Sequence, residues 1–423
     1  MLTLRRAAVL LLLLSTLWAR RAQAEWQGGA GLYFGFNSQV VNPRLTDPTQ
    51  ALGRRAVTGA FTPFVVWNGE YGRLTAYVRL QGEVDGFLFV PFGVLGAYRG
   101  TLVTRLDAKL TETRTWSLAL SGRGGSFNGG QSSSNPDGVP LEGLNIPVTN
   151  FLSVDGRSLF NFKESPRFEV TQQTVFRTFI PYGLFTPSAG GPVTGPSYTV
   201  DAQGIASYYW QRFSLGGDLL VGWFLPPFDS RVQRDIADRS IFNLRFGSRA
   251  SVDLAPNLSA QFQAGLSVTL GRREDPDDPT RLRTFAVANP QGQVSLQKLF
   301  TRPEIETAFI YSHSSAAEVS VGRFSESDSL SLRAIAPLHP DVGLTTEAAY
   351  RYSRAIINTG PSFHVFQFDS TVRWNFNEYL QLFGRYQFVY QALVGNVAVN
   401  TSPVLDFNRH VVLVGVTFTY PRR

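Results

Sequence analysis

Two adjacent alternating segments decide the fold, FNLRFGSRASVDLAPNLSAQFQAGLSVTL, residues 242–270. In the first segment Phe242, Leu244 and Phe246 are separated by polar residues such as Arg245. After a short breaker, Ala-Pro-Asn, the same alternation resumes and continues to the end of the stretch. Successive side chains of a β-strand point to opposite faces, so the pattern predicts two neighbouring strands with one apolar and one polar face.

This alternation recurs along most of the chain, whereas helical periodicity is almost missing from it. Other clear segments are 72–82, 100–111, 366–374 and 380–390. Two assignments depend on strand parity, the requirement for an even number of strands, as well as on the alternation pattern. Residues 151–162 alternate poorly but are predicted to be a strand, and residues 316–324 are predicted to belong to an external loop, although they also suit a strand. The chain is therefore predicted to be all-β.

Connection lengths separate the two all-β architectures that alternation allows, a soluble sandwich and a membrane barrel. Connections after even-numbered strands are short, and connections after odd-numbered strands are longer. Short turns on one side and long loops on the other are typical of a transmembrane barrel, whereas a sandwich has no reason to alternate them. We predict a single transmembrane antiparallel up-and-down β-barrel of about eighteen strands, with 16 and 20 strands as alternatives.

The N-terminal segment has the composition of a signal peptide, with two arginines, a leucine-rich stretch and a small-residue cleavage site, Ala-Gln-Ala. Its apolar part is shorter than the roughly 20 residues that a spanning helix needs. We therefore predict a signal peptide at residues 1–24 and an outer-membrane barrel at residues 25–423 that starts directly in its first strand. The polar segment 123–150 is predicted to be a long external loop or an inward-folded plug.

Composition excludes several classes of site and partner. The chain has no cysteine, so it has no disulfide, thiolate metal site or lipidated N-terminal cysteine. Removing residues 1–24 takes away four arginines and no acid, which leaves 35 basic against 32 acidic residues. The high overall charge therefore does not indicate a nucleic-acid partner, and we expect no cofactor.

Charged side chains occupy the alternate positions that form the polar face of the predicted strands. An Arg facing the bilayer midplane would cost about 2–4 kcal/mol, so these side chains are expected to line the lumen. They are Arg73, Arg79, Arg105, Asp107, Lys109, Arg245, Arg249, Asp253, Glu347, Asp369, Arg373 and Arg385. Two interpretations remain open, a wet channel wall that offers hydrogen bonds to polar solutes and an interior in which the charges only neutralise one another.

Aromatic residues cluster beside the predicted short turns. Amphipathic rings favour the depth of the lipid headgroups, so this location indicates a membrane interface as well as ordinary strand propensity. The predicted interface aromatics are Trp67, Tyr71, Trp210, Trp374 and Tyr379.

The four histidines do not indicate an enzyme. His339 is predicted in a short turn, and His313, His364 and His410 are predicted near the external ends of different strands. Their sequence spacing matches no metal-ligand pair, and no nucleophile motif accompanies them. We expect no catalytic residue and no metal, although three histidines at one end leave an outer-membrane hydrolase as a rival to be tested by their separation.

The last strand, with Val416, Phe418 and Tyr420 on one parity, resembles the C-terminal signal that the barrel-insertion machinery reads in outer-membrane proteins, although Pro-Arg-Arg follows the last aromatic residue. Over nearly the whole mature chain the sequence resembles Gram-negative outer-membrane barrels, and within them the barrel components of exopolysaccharide-export systems. The resemblance implies export of a secreted polysaccharide together with a periplasmic export protein. A small-solute porin and a structural subunit of an envelope, motility or adhesion complex are the alternatives.

Overall fold

A computed structural model describes most of the residues of the chain. They are 23–40, 54–89, 94–126, 150–182, 196–226, 239–274, 282–301, 304–318, 323–357, 362–394 and 407–420. Nearly all of them are in strands. No helix in these ranges is long and apolar enough to cross a membrane.

Eighteen strands form one sheet. They are β1 Gln23–Val40, β2 Arg54–Tyr71, β3 Leu74–Phe89, β4 Val94–Lys109, β5 Arg114–Ser126, β6 Asn150–Ser165, β7 Phe168–Tyr182, β8 Ser197–Tyr209, β9 Phe213–Leu225, β10 Ile241–Ala255, β11 Leu258–Glu274, β12 Leu282–Thr301, β13 Glu304–Glu318, β14 Arg323–His339, β15 Val342–Ile357, β16 Ser362–Asn375, β17 Leu380–Val394 and β18 Phe407–Tyr420.

The sheet is closed. Each strand pairs antiparallel with its neighbours in sequence, and β1 also pairs with β18, with Gly28 opposite Tyr420 and Asn37 opposite Val411. Closure removes the exposed edges that an open sheet would present. The predicted all-β, antiparallel, up-and-down barrel of eighteen strands is confirmed.

The two ends of the barrel differ in their connections. After even-numbered strands only two to four residues intervene, and we call this end the short-turn end. In one of these turns Gly72 has a φ of 62°, a left-handed conformation that glycine adopts without steric cost. Between four and 23 residues separate the strands at the opposite end, the loop end. Three of these connections have only four residues, so the predicted difference in length is less strict than the sequence pattern indicated.

The strands are longer than predicted, mostly at the loop end. The segment predicted as 72–82 is a strand that continues to Phe89, and residues 316–318 and 323–324 of the predicted external loop belong to β13 and β14. Alternation marks the part of a strand that faces lipid, whereas the hydrogen-bonded ladder continues beyond the bilayer, where no apolar face is needed. The poorly alternating residues 151–162 form the middle of β6, as strand parity required.

Apolar side chains cover the outer face of the barrel. Phe242, Leu244 and Phe246 are 52%, 42% and 48% exposed, and their partners in β9 and β11 are apolar as well. A soluble sandwich would bury these rings against a second sheet. A closed barrel with exposed apolar side chains around it is built to lie in lipid.

Candidate functional site: the barrel interior

Residues paired across strands share a face, so the register assigns each side chain to the inner or the outer face. Eleven of the twelve predicted lumen residues lie on strands with inward parity, opposite the apolar stripe; they are Arg79, Arg105, Asp107, Lys109, Arg245, Arg249, Asp253, Glu347, Asp369, Arg373 and Arg385. The prediction for Arg73 is wrong in its placement. Arg73 lies in the turn after Gly72, where its guanidinium donates to the Leu110 carbonyl at 3.3 Å.

Several inward charges form ion pairs. Asp369 Oδ2 accepts a hydrogen bond from Arg385 Nε at 2.8 Å, and Arg105 Nε lies 2.7 Å from Asp107 Oδ2. The carboxylate of Asp218 is fully buried and lies 3.2 Å from Arg245 Nη2. Part of the charge on the inner wall is therefore neutralised by pairing, as the bracing interpretation expects.

A second group of inward ionic residues was missed by the sequence reasoning. Arg99 pairs with Glu83 at 2.9 Å and with Asp85 at 3.0 Å, and Arg177 pairs with Asp201 at 3.2 Å. Glu83, Asp85 and Arg99 lie on the parts of β3 and β4 beyond the predicted strand ends. Longer strands with unchanged parity would have placed these residues on the inner face.

Several amide side chains lie on the inner wall between β7 and β12. Gln173 lies opposite Gln203 in neighbouring strands, and Gln263 lies opposite Gln293. Gln203 and Gln263 both donate to Asp218, at 3.1 and 3.0 Å. An amide offers both donors and an acceptor without carrying charge, so this wall suits neutral polar groups such as hydroxyls.

A polar pocket opens in this wall near the short-turn end. Its volume is about 340 Å³. Its polar lining comes from five adjacent strands and consists of Ser207, Tyr209, Ser214, Arg249, Ser251, Gln261, Gln263 and Gln293. We call it the Arg249 pocket. Gly216 lies directly opposite Arg249 in β9, so β9 places no side chain across from the arginine.

Apolar side chains replace polar ones on the inner face at the loop end. Nine buried residues form one cluster, here called the loop-end cluster: Phe151, Phe179, Phe224, Ile241, Phe285, Ala317, Phe324, Phe363 and Val365. They come from eight strands between β6 and β16. The cluster forms a dry layer above a wet wall, an arrangement that the sequence reasoning did not predict.

Two rings of this cluster meet across the interior. The centroids of Phe224 in β9 and Phe324 in β14 are 6.4 Å apart, although five strand positions separate them. In a regular eighteen-stranded barrel, with strands about 4.8 Å apart and tilted by about 40°, Cα atoms five strands apart at the same height would lie roughly 28 Å apart. Two phenylalanine side chains are too short for that distance, so the wall bends inward here and narrows the interior.

The predicted interface aromatics lie at the short-turn end. Trp210 stacks on Phe213 with centroids 4.3 Å apart, Trp67 lies 6.3 Å from Trp26, and Trp374 packs against Phe376. Tyr71 ends β2, and Tyr379 lies in the turn before β17. In β18, Val416, Phe418 and Tyr420 share the outward parity and pair with β1.

The histidines have separate surroundings. His313 lies between Asp328 and Glu326 at 2.9 and 3.1 Å. His364 lies 2.6 Å from the hydroxyl of Tyr350, and His410 lies 2.9 Å from that of Tyr386. His339, predicted in a short turn, is the last residue of β14. Among the described residues, no three metal-ligating side chains are arranged to hold an ion.

The closed sheet, its apolar outer face and its polar inner face define the class of this protein as a membrane-spanning β-barrel. The sequence matches no protein-family model, and a search of curated proteins gives no significant relative. Solved structures similar to the barrel include OccAB3 of Acinetobacter baumannii, with 10% identity, 94% of this chain and 100% of that chain covered, and a TM-score of 0.44. OpdQ of Pseudomonas aeruginosa has 9% identity, 94% and 98% coverage and a TM-score of 0.44. The FrpB iron transporter of Neisseria meningitidis has 8% identity, 93% and 81% coverage and a TM-score of 0.45.

Proposed function

We propose that this protein is a channel of the Gram-negative outer membrane that passes a hydroxyl-rich hydrophilic solute without covalent chemistry. The observation that carries the proposal is the division of one closed sheet into an apolar outer face and an amide-rich, charged inner face. At eighteen strands the interior is too wide for side chains alone to fill, so water has room along the polar wall.

Secreted polysaccharide is the solute class that we favour. A sugar chain presents many hydroxyls, and the glutamines between β7 and β12 can donate to them and accept from them at moderate strength. The narrowing at the loop end also suits a conduit that stays closed until polymer is delivered. A general porin for small solutes is the second candidate, because paired charges and a polar wall serve small solutes equally well.

The proposal includes partners and a route to the membrane. Residues 1–24 direct export, the barrel-insertion machinery places the chain among outer-membrane lipids, and a periplasmic export protein delivers the polymer. β1 begins at Gln23, where Gln23 and Ala24 pair with Glu70 and Gly69. Residues 1–22 lie outside the described residues, as does most of the candidate plug 123–150, of which 123–126 end β5 and Asn150 starts β6.

Single-channel recording in planar bilayers tests the function. A porin conducts steadily, whereas an export conduit is mostly closed and opens rarely. Normal polysaccharide secretion by a strain from which the gene is deleted would contradict the export proposal. A barrel that never conducts and that copurifies with envelope proteins would instead favour the structural-subunit alternative.

A further inference from the structure

We propose that the Arg249 pocket is a binding subsite for a sugar acid, a solute unit that carries both a carboxylate and hydroxyls. This inference rests on the proposed channel function and names one chemical class within it. The pocket lies on the inner wall, so any hydrophilic solute that crosses the barrel passes it.

Arg249 lacks the carboxylate partner that several other inward arginines have. The inward arginines Arg245, Arg99, Arg177 and Arg385 each pair with a carboxylate. Arg249 forms no ion pair with any described residue, although it lines the pocket. A guanidinium that lines a pocket without a carboxylate partner favours an anion, and a carboxylate matches its planar fork with two parallel hydrogen bonds.

Two acids on nearby strands, Asp218 and Glu169, already bond to other side chains. Asp218 is the nearest acid along the facing strand, but its carboxylate already accepts from Arg245, Gln203 and Gln263. Glu169, in a strand further away, is hydrogen-bonded to the hydroxyl of Tyr209 and lies 3.9 Å from Lys163. Both of these acids are therefore engaged elsewhere, and the cation of Arg249 is left for a solute.

The other polar side chains that line the pocket are neutral and can form hydrogen bonds. Gln261, Gln263 and Gln293 supply amides, and the hydroxyls of Ser214 and Ser251 lie 2.6 Å apart at the pocket wall. Such groups bind sugar hydroxyls, since each can donate or accept. A volume of about 340 Å³ is at the lower end of small-ligand sites and suits one sugar unit.

The test is calorimetric binding to the full-length barrel purified in detergent, with sodium glucuronate and glucose as probes. We expect glucuronate to bind at least about tenfold more tightly than glucose, because the charge-assisted hydrogen bonds to Arg249 require the carboxylate. Arg249→Gln should abolish this preference, and Arg249→Lys should restore part of it, because the charge returns without the fork. Arg373→Gln is the matched control: it removes the same charge from the inner face of β16, outside the pocket, and should keep the preference.

Equal binding of glucose and glucuronate, no binding of glucuronate, or equal losses in the Arg249→Gln and Arg373→Gln variants would overturn the proposal. A glucuronate tetramer that binds more tightly than the monomer identifies a polymer as the source of the sugar acid, whereas equal binding identifies a free solute. Circular dichroism confirms that each variant keeps its β-structure. Binding is measured without current, so the two proposals fail separately. A barrel that binds glucuronate but never conducts would disprove the channel function and support the binding subsite. A barrel that conducts but does not bind glucuronate would support the channel function and disprove the subsite.

Discussion

The contact between Phe224 and Phe324 makes a quantitative prediction about the narrowing at the loop end. Both rings are almost fully buried, with 1% and 3% of their surface exposed. Replacing a buried phenylalanine by alanine costs about 3–5 kcal/mol of folding free energy. We therefore expect Phe224→Ala and Phe324→Ala each to lower the free energy of unfolding by roughly that amount.

The double variant separates a direct contact from two independent losses. The ring centroids are 6.4 Å apart with planes inclined at 44°, and an aromatic pair in such an arrangement contributes about 0.5–1.5 kcal/mol beyond area burial. The loss in the double variant should be smaller than the sum of the single losses by about that coupling energy. The measurement is urea unfolding in lipid vesicles, followed by tryptophan fluorescence.

Conductance supplies the second readout of the same variants. Because the two rings meet across the interior, removing them should widen the path and raise the mean current through single channels in planar bilayers. Phe262→Ala is the matched control, since Phe262 is 46% exposed on the outer face; it removes the same atoms and should leave the current unchanged. Zero coupling energy together with unchanged conductance in the double variant would refute the inward bend.

Three further substitutions test the two faces of the wall. Leu244→Arg should destabilise the barrel by about 2–4 kcal/mol in vesicle unfolding, because it places a cation in hydrocarbon; a neutral result would contradict the lipid-facing assignment. Asp218→Asn should cost about 3 kcal/mol in the same measurement, because a buried carboxylate that accepts from three strands is lost. Gly271→Ala should cost about 1–3 kcal/mol, since its Cβ would lie 2.7 Å from the ring of Phe285, whereas Gly204→Ala, with open space around it, should be tolerated.

Strand number and strand direction could be predicted from the sequence because lipid imposes a strict rule on each spanning segment. Phe242, Leu244 and Phe246 must face hydrocarbon, so the residues between them must face inward. The same rule explains the errors. Beyond the bilayer nothing requires alternation, and therefore Phe89 and residues 316–318 were placed outside their strands.

Ion pairing and the absence of pairing could not be predicted. Arg245 and Arg249 are four residues apart on the same strand and on the same face, so the alternation pattern does not distinguish them. Only the register shows that Asp218 lies within reach of Arg245, while Gly216 lies opposite Arg249. Which inward charges brace the wall and which remain for a solute depends on cross-strand neighbours, which parity alone does not specify.

The loop-end cluster places apolar side chains at inward positions, which are polar elsewhere in the barrel, and this departure has a physical reason. Phe224, Phe285 and Phe363 occupy the polar parity of their strands, and in a wet lumen exposed rings would be unfavourable. Their position near the loop end of every strand concerned removes the conflict, because rings from several strands can meet there and exclude water together. Gly271 supports this packing by leaving room for Phe285 and Ile241. An aromatic residue on the inward face near the loop end of a strand is thus a useful sequence signal. A single ring there would be exposed to water at a cost in free energy, whereas a set of such rings predicts a dry constriction.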